Sequence, residues 1–220
     1  MNSGQLSEDV RARSPSQKEG RRAGILAAAA TVLVRDGWDG VRMEDVAAEA
    51  GVAKGTPYLY WDSRESLFLD LLAREYAAWF QVVVDGLPGV AATPEAVADL
   101  LVDSLLPRPA LLELVGLLHV VLEVHAGPAA VARFKESLLV GGTAAAAALA
   151  AHLGGWSEER AVAFLLRVHA AIVAYRPMSS PPPVVAEVLA QPRFAPLRTT
   201  FAPALRSLFR DLLWAGGRSS

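Results

Sequence analysis

Three observations predict an all-α fold for this 220-residue chain. Apolar residues recur at helical spacing in segment after segment. Capping residues, prolines and glycines bound those segments, and no run alternates apolar with polar residues as a half-buried strand would. Hydrophobic residues make up 53% of the chain and charged residues 20%, so there is material for a substantial core. The expected organisation is an N-terminal three-helix, helix-turn-helix domain followed by a larger helical domain. No internal repeat is found.

Residues 1–17 carry Ser, Pro, Gln and charges and are expected to be a disordered arm. The first helix is expected over 18–36, with Ile25, Ala28, Ala29, Val32 and Leu33 as its inward stripe. Gly37 ends it, and Trp38 plugs a small core. A second helix starts at Arg42 or Met43, and Val46, Ala47 and Ala50 form its apolar stripe. Gly51 supplies the backbone freedom for a turn. A third, short helix is expected over about 53–61. Pro57 and Trp61 lie four apart and can face inward; Ala53, Thr56 and Tyr60 lie opposite, with Lys54 and Tyr58 at the edges. Proline fits there if Thr56 is the N-cap and Pro57 the first helical residue. A short helix that shows hydroxyls, an amine and aromatics outward is what a DNA major groove admits.

The net charge of −2 does not announce a nucleic-acid partner. The local distribution does. Arg11, Arg13, Lys18, Arg21, Arg22 and Arg35 face only Glu19 between residues 10 and 35. A basic arm ahead of such a head can meet phosphate or a minor groove; a solvated tail is the plainer reading.

The run through Gly37, Asp45-Val46-Ala47, Ala50-Gly51-Val52, Lys54-Gly55-Thr56, Tyr58, Trp61 and Ser63 to Leu67 is similar to the DNA-binding module of TetR-type regulators. The likeness spans about residues 21–72. It departs from the usual pattern at Arg42 (commonly Ser or Thr), Pro57 (commonly Leu) and Trp61 (commonly Phe). It implies a DNA-binding domain over 18–66 and a helical ligand-binding and dimerisation domain over 67–220. Arg42, Lys54, Gly55, Thr56, Tyr58, Leu59, Tyr60 and Arg64 are the expected DNA contacts. Lys54 and Thr56 suit base edges. Tyr58 and Tyr60 can bond phosphates, which fixes register without reading sequence. Gly55 permits close backbone approach, and Leu59 could meet only a thymine methyl or be incidentally exposed. Glu44 and Asp45 are repelled by phosphate and are expected to cap or space.

In the second domain Ser63 caps a helix that continues to about residue 84. Thr93-Pro94-Glu95 opens another to about 106, and Pro107-Arg108-Pro109 breaks the chain. Residues 110–125 are so apolar that a helix buried nearly all round is expected. Gly127-Pro128 starts a helix to about 153, and Ser157 caps one from 159 to 175. Residues 177–183, with three consecutive prolines among them, are expected to be non-helical. A short helix over 184–190, an irregular stretch over 192–196 and a last helix over 203–214 follow.

By the resemblance, the last two long helices pair across a two-fold axis, which places Phe164, Val168, Ile172, Leu205, Leu208, Phe209 and Leu212 at a dimer interface; a larger monomer core is the alternative. Polar groups on the apolar helices mark a candidate ligand pocket: His119, Glu123 and His169 with Tyr76, Trp79 and Phe164. His119 and Glu123 share a helix face, but a metal needs further converging ligands. A satisfied hydrogen bond is the simpler expectation, and no metal or cofactor is expected.

The absence of cysteine excludes disulfides and thiol chemistry. There is no Gly-rich phosphate loop and no paired metal motif, so no enzyme activity is expected. Residues 1–20 lack the apolar core of a signal peptide. The longest weakly polar run, 138–151, falls short of the roughly 20 residues of a membrane span, so a soluble cytoplasmic protein is expected. These readings converge on a homodimeric, sequence-specific DNA-binding regulator. Its partners would be a double-stranded operator and a small molecule that releases a repressor. The alternative is a ligand- or partner-binding protein of the same fold that does not bind an operator.

Overall fold

The computed structural model describes residues 15–217. Every regular element among the described residues is helical, with no strand. The chain divides into two compact units, residues 1–61 and 62–220. The arm expected over 1–17 lies outside the described residues as far as residue 14; from Pro15 the chain is helical.

The first unit holds α1 (Pro15–Gly40), α2 (Met43–Glu49) and a single 3-10 turn (Pro57–Leu59). Ile25, Ala29, Val32 and Leu33 of α1 are buried against Val46 and Ala47 of α2. Gly37 breaks the α1 geometry at φ 69, ψ 171, a region essentially reserved for glycine. The break lets Trp38 turn back into the core, where it is 9% exposed. Arg42 occupies the N-cap of α2 in extended conformation and makes no side-chain cap bond. Glu44 and Asp45 in the first turn complement the helix dipole instead. Gly51, at φ 64, closes the helix. Around it the Ala50 and Val52 amides donate to Val46 O and Ala47 O, each at 3.0 Å.

The expected recognition helix over 53–61 is corrected. Only Pro57–Leu59 winds, as one 3-10 turn flanked by turns. Thr56 does precede Pro57 at the N-cap position, but it is helical in φ and ψ and makes no side-chain cap bond. Proline lacks the N–H that would extend helical bonding back through residues 53–56.

The second unit begins with α3 (Arg64–Gly86), opened by a reciprocal cap: Ser66 N donates to Ser63 Oγ at 3.0 Å and Ser63 N to Ser66 Oγ at 3.1 Å. Helix α4 (Pro94–Leu105) starts at Thr93, whose Oγ1 accepts from Ala96 N. Helices α5 (Pro109–Leu117) and α6 (Glu123–His125) flank a π-turn, Leu118–Leu122. The helix expected to be buried all round is therefore corrected. Val120 is 69% exposed and Val124 64%, because the wider turn rotates the following residues off the buried face.

Helix α7 (Pro128–Leu153) packs against both α3 and α8 (Glu158–Ser179). Helix α8 runs through Pro177, against the expected break. A proline in the last turn deprives only one carbonyl of its donor. Ser179 Oγ partly caps that end by donating to Tyr175 O and Arg176 O. A short α9 (Pro183–Ala190), a 3-10 stretch (Pro192–Leu197) and α10 (Phe201–Gly217) complete the chain. Phe164, Val168 and Ile172 of α8 and Leu205 and Phe209 of α10 are all buried in the core of this unit.

The expectation that no stretch could span a membrane is also corrected. Helices α7 and α8 are long and apolar enough by length and composition. The 138–151 run underestimated α7, because a span tolerates a few charges. Both helices here pack into the bundle.

Candidate nucleic-acid interface and ligand cavity

In the first unit, buried Pro57 and Trp61 hold a short outward-facing segment between them. Tyr58 is 54% exposed and Leu59 74%. Lys54, Gly55 and Arg42 are exposed, while Thr56 and Tyr60 are half-buried. Tyr60 leans on Trp61 with ring centres 5.5 Å apart, and Arg22 lies 5.4 Å from the Trp61 ring on another side. The anchored segment thus displays lysine, tyrosine and leucine together. Arg64 falls in the other unit, at the start of α3, beside Glu65.

Two cations of the expected basic surface are engaged internally. Lys54 pairs with Glu44 in close contact, and that hydrogen bond raises the Lys54 pKa and lowers that of Glu44. Arg35 forks onto Asp36 at 2.8 and 2.9 Å and reaches Glu49 at 3.1 Å. Glu44 was expected only to cap or space; it also holds Lys54. Both side chains are solvent-facing, so the pair is weak and a phosphate can compete for the lysine. Arg11 and Arg13 lie outside the described residues.

In the second unit, α3, α7 and α8 line an open cavity of about 440 Å³. Tyr76, Trp79, His119 and His169, all expected there, line it. Glu123 and Phe164 do not. Glu123 stands behind His119, accepting from its Nδ1 at 2.9 Å and pairing with Lys135 at 2.5 Å. Phe164 points into the core against Trp156 at 5.7 Å. The remaining wall includes Phe80, Lys135, Leu139, Gly142, Leu165 and Leu166. Sequence reading missed these because they come from three helices, and spacing along one helix does not show which side chains of another face it. Trp79 Nε1 donates to Ser104 Oγ at 3.0 Å, so the indole is fixed.

The polar end of the cavity is held in one protonation pattern. Tyr76 is buried, and burial pushes its phenol pKa up. Its hydroxyl lies 2.7 Å from His169 Nδ1. Burial first, then the positive charge of His119 and Lys135, pulls His169 down to about 4, with Glu123 opposing. A buried O–H needs an acceptor, so the phenol donates to Nδ1 and the His169 proton sits on Nε2. Burial pushes the Glu123 carboxyl up, but hydrogen bonds from Lys135 and His119 outweigh that and hold it below its ordinary range. His119 turns its Nδ1 to Glu123, which leaves Nε2 as its other polar atom. The two rings stand perpendicular with centres 5.8 Å apart. The cavity thus has two imidazoles, those of His119 and His169, at one end of a mostly apolar space. No cluster of three or more His, Asp or Glu able to hold a metal occurs among the described residues.

Beside this outward-facing segment and this mostly apolar cavity, two family models match the chain. "Bacterial regulatory proteins, tetR family" covers residues 25–71, and "Tetracyclin repressor-like, C-terminal domain" covers residues 73–218. The chain belongs to the TetR family of transcriptional regulators. Members of this family are DNA-binding helix-turn-helix proteins rather than enzymes. A curated relative, the uncharacterized HTH-type transcriptional regulator YfiR of Bacillus subtilis, is 45% identical over 51 residues. That match spans 23% of this chain and a quarter of the relative's length. A putative transcriptional regulator from Rhodococcus sp. RHA1 shares the fold at TM-score 0.59 and 18% identity, over 89% of this chain and 93% of its own. FadR of Bacillus subtilis, solved in complex with stearoyl-CoA, does so at TM-score 0.52 and 17% identity, over 88% and 98%.

Proposed function

We propose that this TetR-family chain is a cytoplasmic homodimeric repressor, released from a palindromic operator by a small molecule in the α3–α7–α8 cavity. The observation that carries the DNA half is the segment 54–60, displayed outward over buried Pro57 and Trp61. Arg42, Lys54, Tyr58 and Tyr60 are the proposed backbone and base contacts, with Thr56 and Leu59 at the base edges and Gly55 giving close approach. Arg64 is the proposed phosphate contact from the start of α3.

A second copy is supported by surfaces other than those first expected. Helix α8 carries a second, uncharged stripe, in which Leu166, Ala170, Ala174 and Pro177 are exposed and Val173 is half-buried. Helix α10 carries Phe201, Ala204, Leu208 and Leu212, half-buried and beside its core stripe. Two such stripes on helices that already pack together suit a four-helix interface. Leu208 and Leu212 therefore remain interface residues, while Phe164, Val168, Ile172, Leu205 and Phe209 do not.

Release requires no chemistry. A dimer reading a palindrome must place its heads about one helical turn, roughly 34–36 Å, apart. A ligand shifts that spacing only if it binds the non-DNA form more tightly, and about 1–3 kcal/mol of coupling is typical. The FadR neighbour's stearoyl-CoA complex supports a small-molecule role for the helical unit.

The single 3-10 turn and the Lys54–Glu44 pair favour a second reading, a ligand- or partner-binding protein of this fold without operator binding. Gel shifts on the DNA upstream of its own gene decide between them. Sequence-dependent binding that is lost on Lys54→Ala with Tyr58→Ala supports the repressor; unchanged affinity, or no sequence preference, rejects it.

A further inference from the structure

Phe80 stands between two hollows. On one side is the 440 Å³ cavity with its histidine end. On the other is a hollow of about 530 Å³ between α3 and α7, which Phe80 also lines, with Val84, Ser137, Val140 and Gly141. The ring is 9% exposed. It packs against Tyr76 at 5.8 Å and Trp79 at 5.5 Å between ring centres. Its other side lies on the backbone of α7. A Cβ at Gly141 would stand only 2.8 Å from Phe80 Cδ2, and one at Gly142 would stand 4.0 Å from Cζ. Two consecutive glycines in mid-helix cost stability, roughly 1 kcal/mol each relative to alanine. At Gly141 the return is room for this ring.

We propose that Phe80 is the specificity-determining residue of the cavity: it forms the wall shared with the second hollow and so sets the length of ligand accepted. The ligand class is an elongated apolar molecule with one hydroxyl, carbonyl or carboxyl end. That end meets the His119 and His169 Nε2 atoms, and the tail runs toward the Phe80 ring. Without the ring the wall between the two hollows is lost, which lengthens the space open to a tail. The proposal rests on the reading of the cavity as the ligand site.

The test uses straight-chain primary alcohols from hexanol to tetradecanol, titrated calorimetrically into the full chain. Each methylene buried strengthens binding about fourfold, so wild-type affinity climbs with chain length and then stops climbing at the alcohol whose tail meets the ring. Phe80→Ala is expected to move that plateau to longer alcohols by several carbons. Phe80→Leu, which keeps more of the packing, covers the case in which the alanine variant does not fold, and is expected to move the plateau in the same direction by less. An unchanged plateau in a folded Phe80 variant overturns the length-setting role and leaves the ligand site standing. If no alcohol binds the wild-type chain, the cavity reading itself fails, and the role of Phe80 with it.

Discussion

Lowering the pH should destabilise the protein through His169, by an amount that follows from the cavity. Its folded pKa of about 4 lies below the ordinary histidine value of 6.5, the value expected in the unfolded chain. At a pH above both values the ring is neutral in both states and contributes nothing to the difference. As the pH falls through about 6.5, the unfolded chain takes up a proton that the folded one refuses, and the native state loses ground until about pH 4, where both are protonated. The full gap corresponds to about 3 kcal/mol, of which about 2 kcal/mol should be lost between about pH 7.5 and pH 5. The assay is urea unfolding of the wild type and of His169→Gln at both pH values, monitored by circular dichroism. Glutamine does not titrate, so the wild type should lose about 2 kcal/mol more than the variant over the same interval. The Glu123 carboxyl, held below its ordinary range, stays ionised over this interval in both proteins, so the comparison isolates the histidine. Equal losses in the two proteins would refute the buried neutral imidazole and, with it, the direction assigned to the Tyr76–His169 hydrogen bond.

Other consequences can be checked separately. Gly37→Ala and Gly127→Ala place a side chain at φ 69, ψ 171 and φ 81, ψ 154; each should cost about 1–3 kcal/mol in denaturant unfolding. Leu166→Arg puts a charge into the proposed α8 stripe and should shift sedimentation from dimer to monomer while helicity stays intact; a persisting dimer would move the interface elsewhere. Glu44→Gln frees Lys54 and should tighten DNA binding modestly. Lys54→Ala should cost about 1–3 kcal/mol of operator affinity and relax the sequence preference, as loss of one base contact requires.

Much of this architecture was legible because local chemistry wrote it. Ser63, Thr93 and Ser157 each cap the helix they were expected to open, and Gly127-Pro128 begins α7 where the pair predicts. The misreadings have physical causes. Pro177 was read as a helix breaker, although the last turn loses only one bond to it. The 53–61 segment was read by helical spacing, and Pro57 limits it to a single 3-10 turn. On α8 and α10 the larger side chains were assigned to the interface, whereas each helix carries two stripes and the bulkier one fills its own core. Periodicity shows that a stripe is apolar; it does not show which neighbour covers it. In the cavity, aromatic and histidine residues announced themselves, but Gly141 and Gly142 carry meaning only once Phe80 is seen resting on them.

The account depends most on DNA recognition by the exposed 54–60 segment. Fluorescence anisotropy on a duplex from the upstream region and on a scrambled duplex of equal length, across a salt series, measures it directly. The account predicts that the upstream duplex binds at least about a thousandfold more tightly at physiological salt, with two protomers per site. Equal affinity for the two duplexes, or a single protomer saturating the site, would contradict it.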